Sequence, residues 1–243
     1  MKQSFRLLMA ALVIALPAQV AAQTNIDAIL ADSSRPEADR ERDAGRAPGE
    51  VIAFLGIGPG DSVADLLAGG GYYTRILVPL VGAEGQVYAG NNPFFAGFFG
   101  EAFDALLNEP AFSSVIRIDS PVDELTLPAN SLDAAIMSQA YHDLVLGDED
   151  RDEMNRRIFA ALKSGGVYGI IDHAAAPGSG ISATESLHRI DKQFVIDEVT
   201  RARFVLAGDA DILSNPDDDH SAMIFSPDIN GQTDRFVLRF EKP

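Results

Sequence analysis

The sequence predicts an α/β protein built on a doubly wound, mostly parallel sheet of seven strands, of which the last runs in the reverse direction. Three observations lead to this prediction. Apolar runs of strand length alternate with segments of helical periodicity from residue 62 onward, an order typical of a parallel sheet covered by helices on both faces. No helical segment separates the last two apolar runs, so these should pair antiparallel as a hairpin with a long loop. A glycine-rich turn follows the first run and opens a helical segment, where doubly wound folds bind their ligands.

Each predicted strand is a short apolar run bounded by turn-forming residues. The seven runs are 62–67, 86–90, 115–119, 131–140, 167–176, 203–213 and 234–243. The predicted helices carry apolar residues at intervals of three and four, and some end at glycine. After the first strand they are 72–82, interrupted near Pro79, then 94–108, 148–166 and 191–202. These elements make up one domain, which we place at residues 51–243.

Residues 23–50 form a polar helical lead-in to that domain. Ser33 or Ser34 is expected to cap a helix that begins near Pro36, a favoured residue of the first helical turn. A second short helix is predicted at 49–57, where four apolar residues lie at helical spacing before a glycine.

Residues 1–22 have the pattern of a signal peptide. Two basic residues precede an apolar run at 7–16, and Val20 and Ala22 suit a cleavage site before Gln23. The apolar run is short for a membrane span, which favours a cleaved leader over an uncleaved membrane tether. We therefore expect an exported protein, periplasmic in a bacterium, with no stable membrane insertion after cleavage.

Composition excludes several classes of site and partner. The chain has no cysteine, so disulfides and thiolate zinc sites are impossible. The formal charge is −17, and it becomes −19 when the two basic residues of the leader are removed. So acidic a chain should repel nucleic acid and anionic lipid. We expect a small-molecule substrate, and the sequence does not reveal the oligomeric state.

Two stretches are rich in glycine, and only one follows a strand. Residues 56–61 precede the first strand, and a helix cap followed by a turn accounts for them. Residues 68–71 follow that strand and open a helix, so their bare peptide groups can meet a ligand closely. A dinucleotide site would need a third glycine where Thr74 stands and an acid after the second strand, where Asn91 stands.

Asp65 at the tip of the first strand favours a different cofactor, because a carboxylate suits a ligand that carries an ammonium group. The stretch from Asp65 to Gly71 resembles the first motif, D-x-G-x-G-x-G, of class I S-adenosylmethionine-dependent methyltransferases. Asp65, Gly69 and Gly71 match that motif, whereas Leu67 replaces its first glycine. The cofactor interpretation depends on Asp65 and the neighbouring peptide groups forming a cradle that Leu67 does not fill.

The resemblance to this family covers nearly all of the chain after the leader. Residues 125–144 resemble the family's fourth-strand region, and 158–173 resemble its helix, glycine turn and fifth strand. More narrowly, the sequence resembles a bacterial group of exported, methyltransferase-like proteins. The family's fold is a seven-stranded sheet with a reversed last strand, and its cofactor is S-adenosylmethionine.

The resemblance implies a set of cofactor-binding residues. Asn91 stands where the family usually has the acid that binds the ribose, and Asp119 or Asp123 is expected near the adenine. Arg42 and Arg46 lie in the segment that resembles the family's lead-in, where they either reach a carboxylate or form solvated ion pairs. The predicted cofactor-binding residues are Asp65, Gly69, Gly70, Gly71, Tyr72, Asn91 and Asp123.

Three histidines follow predicted strands or precede a helix on the ligand side of the sheet. His142, His173 and His188 should line one crevice. One of them is predicted to act catalytically by taking a proton from the methyl acceptor; the alternative is that they only hold loops together. Methyl transfer itself needs mainly proximity and alignment.

The sequence predicts methyl transfer to an unidentified small acceptor. One alternative is a non-catalytic protein that binds a nucleoside-like metabolite. Another is a metal-assisted hydrolase that uses His142, His173 and the acidic loop ending at His220. Because no spacing is diagnostic of a metal site, no metal ligand is assigned.

Overall fold

The computed structural model describes residues 26–243. The seven strands are β1 (Ser62–Leu66), β2 (Gln86–Gly90), β3 (Ile116–Arg117), β4 (Leu132–Ser138), β5 (Leu162–His173), β6 (Val205–Ala210) and β7 (Arg235–Glu241). They form one sheet in the order β3-β2-β1-β4-β5-β7-β6. All neighbouring pairs are parallel except those of β7, which runs antiparallel to both β5 and β6. The predicted fold class and the reversed last strand are confirmed.

Seven α-helices with described bounds surround the sheet. They are α1 (Glu37–Arg46), α2 (Pro48–Leu55), α3 (Tyr72–Val81), α4 (Pro93–Leu107), α5 (Arg151–Ala161), α6 (Thr184–Leu187) and α7 (Lys192–Arg201). One core cluster joins α5 and α7 to one face of the sheet, and a second joins α2 and α3 to the other face. The helical lead-in therefore packs onto the sheet, where Ile26 and Ile29 join the second cluster.

The predicted helix 148–166 ends early. α5 stops at Ala161 because Leu162 pairs with Leu132 and starts β5. An irregularity in the ladder follows at 163–166, so the glycines there belong to a strand and do not end a helix. The predicted strands 115–119 and 203–213 are also too long, since β3 has two residues and β6 has six.

Two details of the helices differ from the sequence prediction. α3 runs through Pro79 without interruption. Pro79 is exposed on the last turn, so it removes only one hydrogen bond near the end of the helix. The cap of α1 is Pro36, with no side-chain hydrogen bond, so the predicted capping by Ser33 or Ser34 is wrong.

The long connection between β6 and β7 is fastened to the domain by a buried ion pair. Arg189, which is 0% exposed, donates to both carboxylate oxygens of Asp218 at 2.8 and 3.1 Å. The same guanidinium donates to the carbonyl groups of Ala174 and Ala222. This connection therefore has a fixed position over the carboxyl ends of the strands.

The leader lies outside the described residues, so its cleavage and export of the protein stay predictions. No helix within residues 26–243 has the length and apolar composition needed to cross a bilayer.

The fit between β5 and α2 can be tested at Gly169. A Cβ atom added there would lie 2.5 Å from Leu55 Cδ1, and Leu55 is fully enclosed. Gly169→Ala should therefore lower the free energy of unfolding by about 1–3 kcal/mol, as overpacking does. Urea unfolding measures this change.

The matched control for that substitution is Gly97→Ala. Gly97 is an exposed residue of α4, and nothing lies within 4 Å of an added Cβ atom. This change should be neutral or stabilise by up to about 1 kcal/mol, because alanine favours the helix. Equal effects of the two substitutions would contradict the close packing at Gly169.

Candidate functional site

A cavity of about 480 Å³ lies at the carboxyl ends of β1, β4 and β5. The strand order changes direction at the β1–β4 boundary, which is where doubly wound sheets leave a crevice. The turn after β1, the first residues of α3, the end of α1 and one side of α4 form its walls. The connection between β6 and β7 contributes Ile224 and Phe225.

The glycine turn after β1 contributes Gly69 and Gly70 to the cavity wall. Gly71 has a different role, because it has a φ of +87° and an added Cβ atom would lie 2.1 Å from Leu106 Cδ2. Only glycine fits at that close approach of the turn to α4. Two of the three predicted glycines therefore face the cavity, and the third allows the packing behind them.

Leu67 occupies the position where the family motif has glycine, and its backbone keeps the glycine-like conformation. Its φ is +53°, in the left-handed region that L-residues avoid. The side chain lines the large cavity and also a narrow cleft of about 10 Å³ beside it. Leu67 thus separates the two spaces.

Asp65 does not line the cavity, contrary to the expectation from the sequence. Its carboxylate is 3% exposed and accepts a hydrogen bond from the Thr74 hydroxyl group at 2.6 Å. β1 alternates its side chains, so the residue at this position faces α3. Burial raises the pKa of Asp65 to about 6, although the Thr74 bonds and Arg46 oppose the shift. This geometry supports a role in joining β1 to α3 and gives no support for direct contact with a ligand.

Asn91 follows β2, and both ends of its side-chain amide bond to the glycine turn. Its Oδ1 accepts from the Gly69 N–H at 2.8 Å, and its Nδ2 donates to the Gly69 carbonyl at 3.0 Å. The Asn91 N–H donates to Asp119 at 2.8 Å. The amide therefore fixes the glycine turn to β2.

Asp123 lies away from the cavity. It is part of the turn Val122–Glu124, and its carboxylate accepts from the Asp150 N–H at 3.1 Å. Ser120 is the polar residue that the structure brings to the narrow cleft, where its Oγ is buried without a hydrogen-bond partner. No sequence signal distinguished Ser120 from other loop serines.

His142, His173 and His188 all line the cavity, so their predicted proximity is confirmed and their catalytic role stays a prediction. The His142 and His173 rings are 5.8 Å apart between centroids, and the His142 and His188 rings are 5.6 Å apart. Asp143 lies between two of them, with Oδ1 at 3.3 Å from His142 Nε2 and 3.1 Å from His188 Nδ1. Asp143 directly follows His142 in the sequence and is not among the residues predicted for the site.

The environments of His142 and His173 shift their pKa values in opposite directions. Burial alone lowers the pKa of His142, but Asp172 and Asp143 outweigh it and raise that pKa to about 10. Burial lowers the pKa of His173 well below its usual value, and His142 and Arg235 add to that effect. At neutral pH His142 holds a proton on both nitrogens, whereas His173 is neutral.

The metal set predicted from His142, His173 and the acidic loop is not assembled. His220 pairs with Asp234 at 2.9 Å and lines a separate depression, and Asp218 is bound to Arg189. Arg189 holds Asp218, and none of the carboxylates at 217–219 lines the cavity that contains His142.

Arg46 brings a positive charge to the cavity without an acidic partner. Within residues 26–243 it forms no ion pair, and its Nη2 donates to Gln139 Oε1 at 3.1 Å. Its guanidinium carbon lies 4.5 Å from the centroid of the Tyr72 ring, which also lines the cavity. Arg42 stacks on the same ring but pairs with Asp39. Of the two arginines named from the sequence, Arg46 is therefore the one free to bind a carboxylate.

The side of α4 that faces the cavity is aromatic. Phe95 is buried, whereas Phe94, Phe98 and Phe99 are 51%, 72% and 42% exposed. All four rings line the cavity and form its apolar wall. Phe225 faces them from the other side and contacts His188 at 5.3 Å between ring centroids.

Comparison with solved structures identifies the architecture. A methyltransferase from Aquifex aeolicus, described as dependent on S-adenosylmethionine, superposes with a TM-score of 0.61 and 18% identity over 91% of this chain and 98% of that chain. Geranyl diphosphate C-methyltransferase from Streptomyces coelicolor, in complex with S-adenosyl-L-homocysteine, superposes with a TM-score of 0.57 and 14% identity. The match covers 89% of this chain and 84% of that chain. The [4+2]-cyclase SpnF superposes with a TM-score of 0.59 and 16% identity over 93% of each chain.

These similarities show the fold of class I S-adenosylmethionine-dependent methyltransferases. No family model matches the chain, and no curated protein matches it. Because identities are below 20% and one similar structure is a cyclase, the chemistry has to be argued from this chain's own site.

The buried position of Asp65 predicts a pH-dependent stability. The pKa of this carboxyl is 3.8 in the unfolded chain and about 6 in the fold, so its contribution to stability is present below about pH 4 and lost as the pH rises through 6. Relative to Asp65→Asn, the wild type should lose up to about 3 kcal/mol between about pH 4 and about pH 7. Urea unfolding at a series of pH values measures this difference.

Asp148→Asn is the control for that series, because Asp148 is exposed and the substitution removes the same charge. This variant should follow the wild-type pH dependence. Parallel curves for Asp65→Asn and the wild type would contradict the buried, ionisable state of Asp65.

Proposed function

We propose that the protein transfers a methyl group from S-adenosylmethionine to a small acceptor. The carboxylate cradle expected at Asp65 is not formed. The proposal rests instead on the cavity at the carboxyl edge of the sheet, where the Gly69–Gly70 turn and the Arg46 guanidinium face the same space. A guanidinium binds a carboxylate in a paired geometry. Bare peptide groups permit close approach of a ligand backbone. This set of groups suits the amino-acid half of the cofactor.

The adenosine half of the cofactor has no open site in the structure. The Ser120 hydroxyl in the narrow cleft lacks a partner and could bond a ring nitrogen or a ribose hydroxyl. The cleft holds only about 10 Å³, and Leu67 closes it toward the cavity. Asn91 bonds Gly69 through both ends of its amide, which leaves one N–H and one lone pair for a ligand in the cleft. We propose that cofactor binding displaces the Leu67 side chain and joins the two spaces.

S-adenosylmethionine, when bound, supplies a methyl group on a positively charged sulfur. The protein's task is then to align an acceptor, exclude water and take up a proton where the acceptor carries one. His173 suits the last role because it is neutral at neutral pH. Its Nδ1 is held by the Thr233 hydroxyl at 2.7 Å, which leaves Nε2 for the cavity.

The acceptor should combine an apolar body with a polar reacting group. The phenylalanine wall of α4 and Phe225 provide the apolar surface, and His173, Asp143 and Gln139 provide polar contacts. Pockets with this distribution bind small molecules in which a few polar atoms set the orientation.

A second candidate function is non-catalytic binding of a smaller nucleoside-like or amino-acid-like metabolite. The specific observation in its favour is the closed adenosine cleft, since a ligand confined to the large cavity would need no displacement of Leu67. The two functions differ in the response to substitutions at Leu67.

Calorimetric titration with S-adenosylmethionine and S-adenosylhomocysteine tests the role of Arg46. Arg46→Gln removes the charged partner of the ligand carboxylate and should weaken binding about 10-fold to 100-fold, the usual worth of a charged hydrogen bond. Arg40→Gln is the matched control, because Arg40 is exposed on the same helix and outside the cavity. Absence of binding by the wild type, or equal losses in both variants, would count against the proposal.

Leu67→Gly tests the closure of the adenosine cleft. Glycine accepts a φ of +53° and removes the side chain that separates the two spaces, so affinity for S-adenosylhomocysteine should rise at least about 10-fold. Leu67→Ala is the control that removes bulk but retains the unfavourable backbone conformation. If neither substitution raises the affinity, Leu67 is not the barrier; if neither variant binds, the second candidate function is favoured.

A further inference from the structure

We propose that His142, Asp143 and His188 form a site for a divalent metal ion that prefers imidazole ligands, such as Zn²⁺. One ligand atom from each residue can be chosen so that all three lie within 4.8 Å of one another. This set differs from the acidic-loop set considered from the sequence, and it does not depend on the methyl donor.

The spacing of the ligand atoms suits a tetrahedral ion. Bonds of about 2.0–2.2 Å to nitrogen and oxygen place neighbouring ligand atoms about 3.4 Å apart. Asp143 Oδ1 lies 3.3 Å from His142 Nε2 and 3.1 Å from His188 Nδ1. The chosen ligand atoms all lie within 4.8 Å of one another, so the three side chains can converge on one ion.

Asp172 orients His142 as a metal ligand. The fully buried Asp172 carboxylate binds His142 Nδ1 at 2.7 Å and also accepts the backbone N–H groups of His142 and His173. The Nδ1 bond directs Nε2 of the same ring toward Asp143, where a bound metal ion takes the place of the proton that the ring carries in the metal-free protein. A carboxylate behind a ligating histidine is a recurrent feature of metal sites, because it fixes the ring and raises its basicity.

The backbone at His188 is held in an unfavourable conformation. Its φ and ψ are 54° and 45°, the left-handed region, at the end of α6. Such conformations in non-glycine residues are costly and concentrate at functional sites. Here the conformation brings the imidazole over Asp143, and the residue is part of the cavity lining.

The proposed site leaves room for a substrate. Three protein ligands leave a fourth position, which is the arrangement of catalytic rather than structural zinc sites. All three ligands line the cavity, and His173 and Gln139 line it beside them. We infer that a ligand with an oxygen donor and an apolar body binds through the metal. Two nitrogen ligands and one oxygen ligand disfavour Mg²⁺ and Ca²⁺, which select oxygen.

The test is calorimetric titration of the metal-free protein, prepared without a polyhistidine tag, with Zn²⁺, and in parallel with Mg²⁺. We expect one Zn²⁺ per chain and no saturable binding of Mg²⁺. Co²⁺ should give the visible absorption of a tetrahedral ion with nitrogen and oxygen ligands. His188→Ala should lower Zn²⁺ affinity at least about 100-fold, and Asp172→Asn should lower it about 10-fold to 100-fold.

His220→Ala is the matched control, since His220 is also a half-buried histidine paired with an aspartate but lies outside the cavity. It should bind Zn²⁺ as the wild type does. Circular dichroism confirms that each variant is folded; if Asp172→Asn is not, His188→Ala alone decides. The proposal is overturned if the wild type binds no Zn²⁺, if His188→Ala binds with wild-type affinity, or if His220→Ala loses as much.

A failure of this test leaves S-adenosylmethionine binding unaffected, because the ligands proposed for the metal are not those proposed for the cofactor. Conversely, Zn²⁺ binding that depends on His188, without any binding of S-adenosylhomocysteine, would support the metal site and reject the methyl donor. The two proposals are therefore distinguishable.

Discussion

The arrangement of the site depends on one buried carboxylate, that of Asp172 at the end of β5. It is 0% exposed and accepts three hydrogen bonds, two of them from His142 and one from the backbone of His173. A buried carboxylate is costly unless such donors surround it. The turn after β4 is therefore held to the end of β5, and the histidines of both strands have fixed positions at one wall of the cavity.

The sequence predicts the architecture well because the signals for it are long and redundant. Alternating strand and helix patterns, and the missing helix before β7, fix the topology regardless of errors at the element ends. The errors occur where the signal is local. The glycines at 163–166 resemble the end of a helix, and only pairing of Leu162 with Leu132 shows that they belong to a strand.

The site is predicted less completely, for a physical reason. A parallel sheet places the carboxyl ends of its strands at one edge, which suffices to bring His142 and His173 together. A motif does not determine where a side chain points, so Asp65 was expected in the cavity but faces Thr74. Asp123 likewise forms a loop contact. Ser120 became a candidate because its hydroxyl lacks a partner, and Arg46 was distinguished from Arg42 because only Arg42 is paired with Asp39. Only the three-dimensional structure reveals these properties.

The ion pair of Arg189 with Asp218 also governs how ligands enter and leave. It holds the segment that carries Ile224 and Phe225 over the cavity, and moving that segment would leave the buried Arg189 charge without its partner. Ligand exchange that requires this segment to move away from the cavity would therefore be slow. The exposed rings of Phe94 and Phe98 have no such restraint. We therefore expect ligands to enter and leave the cavity between α4 and α1. We expect rotation of these aromatic side chains, and not opening of the long connection, to set the rate of ligand release.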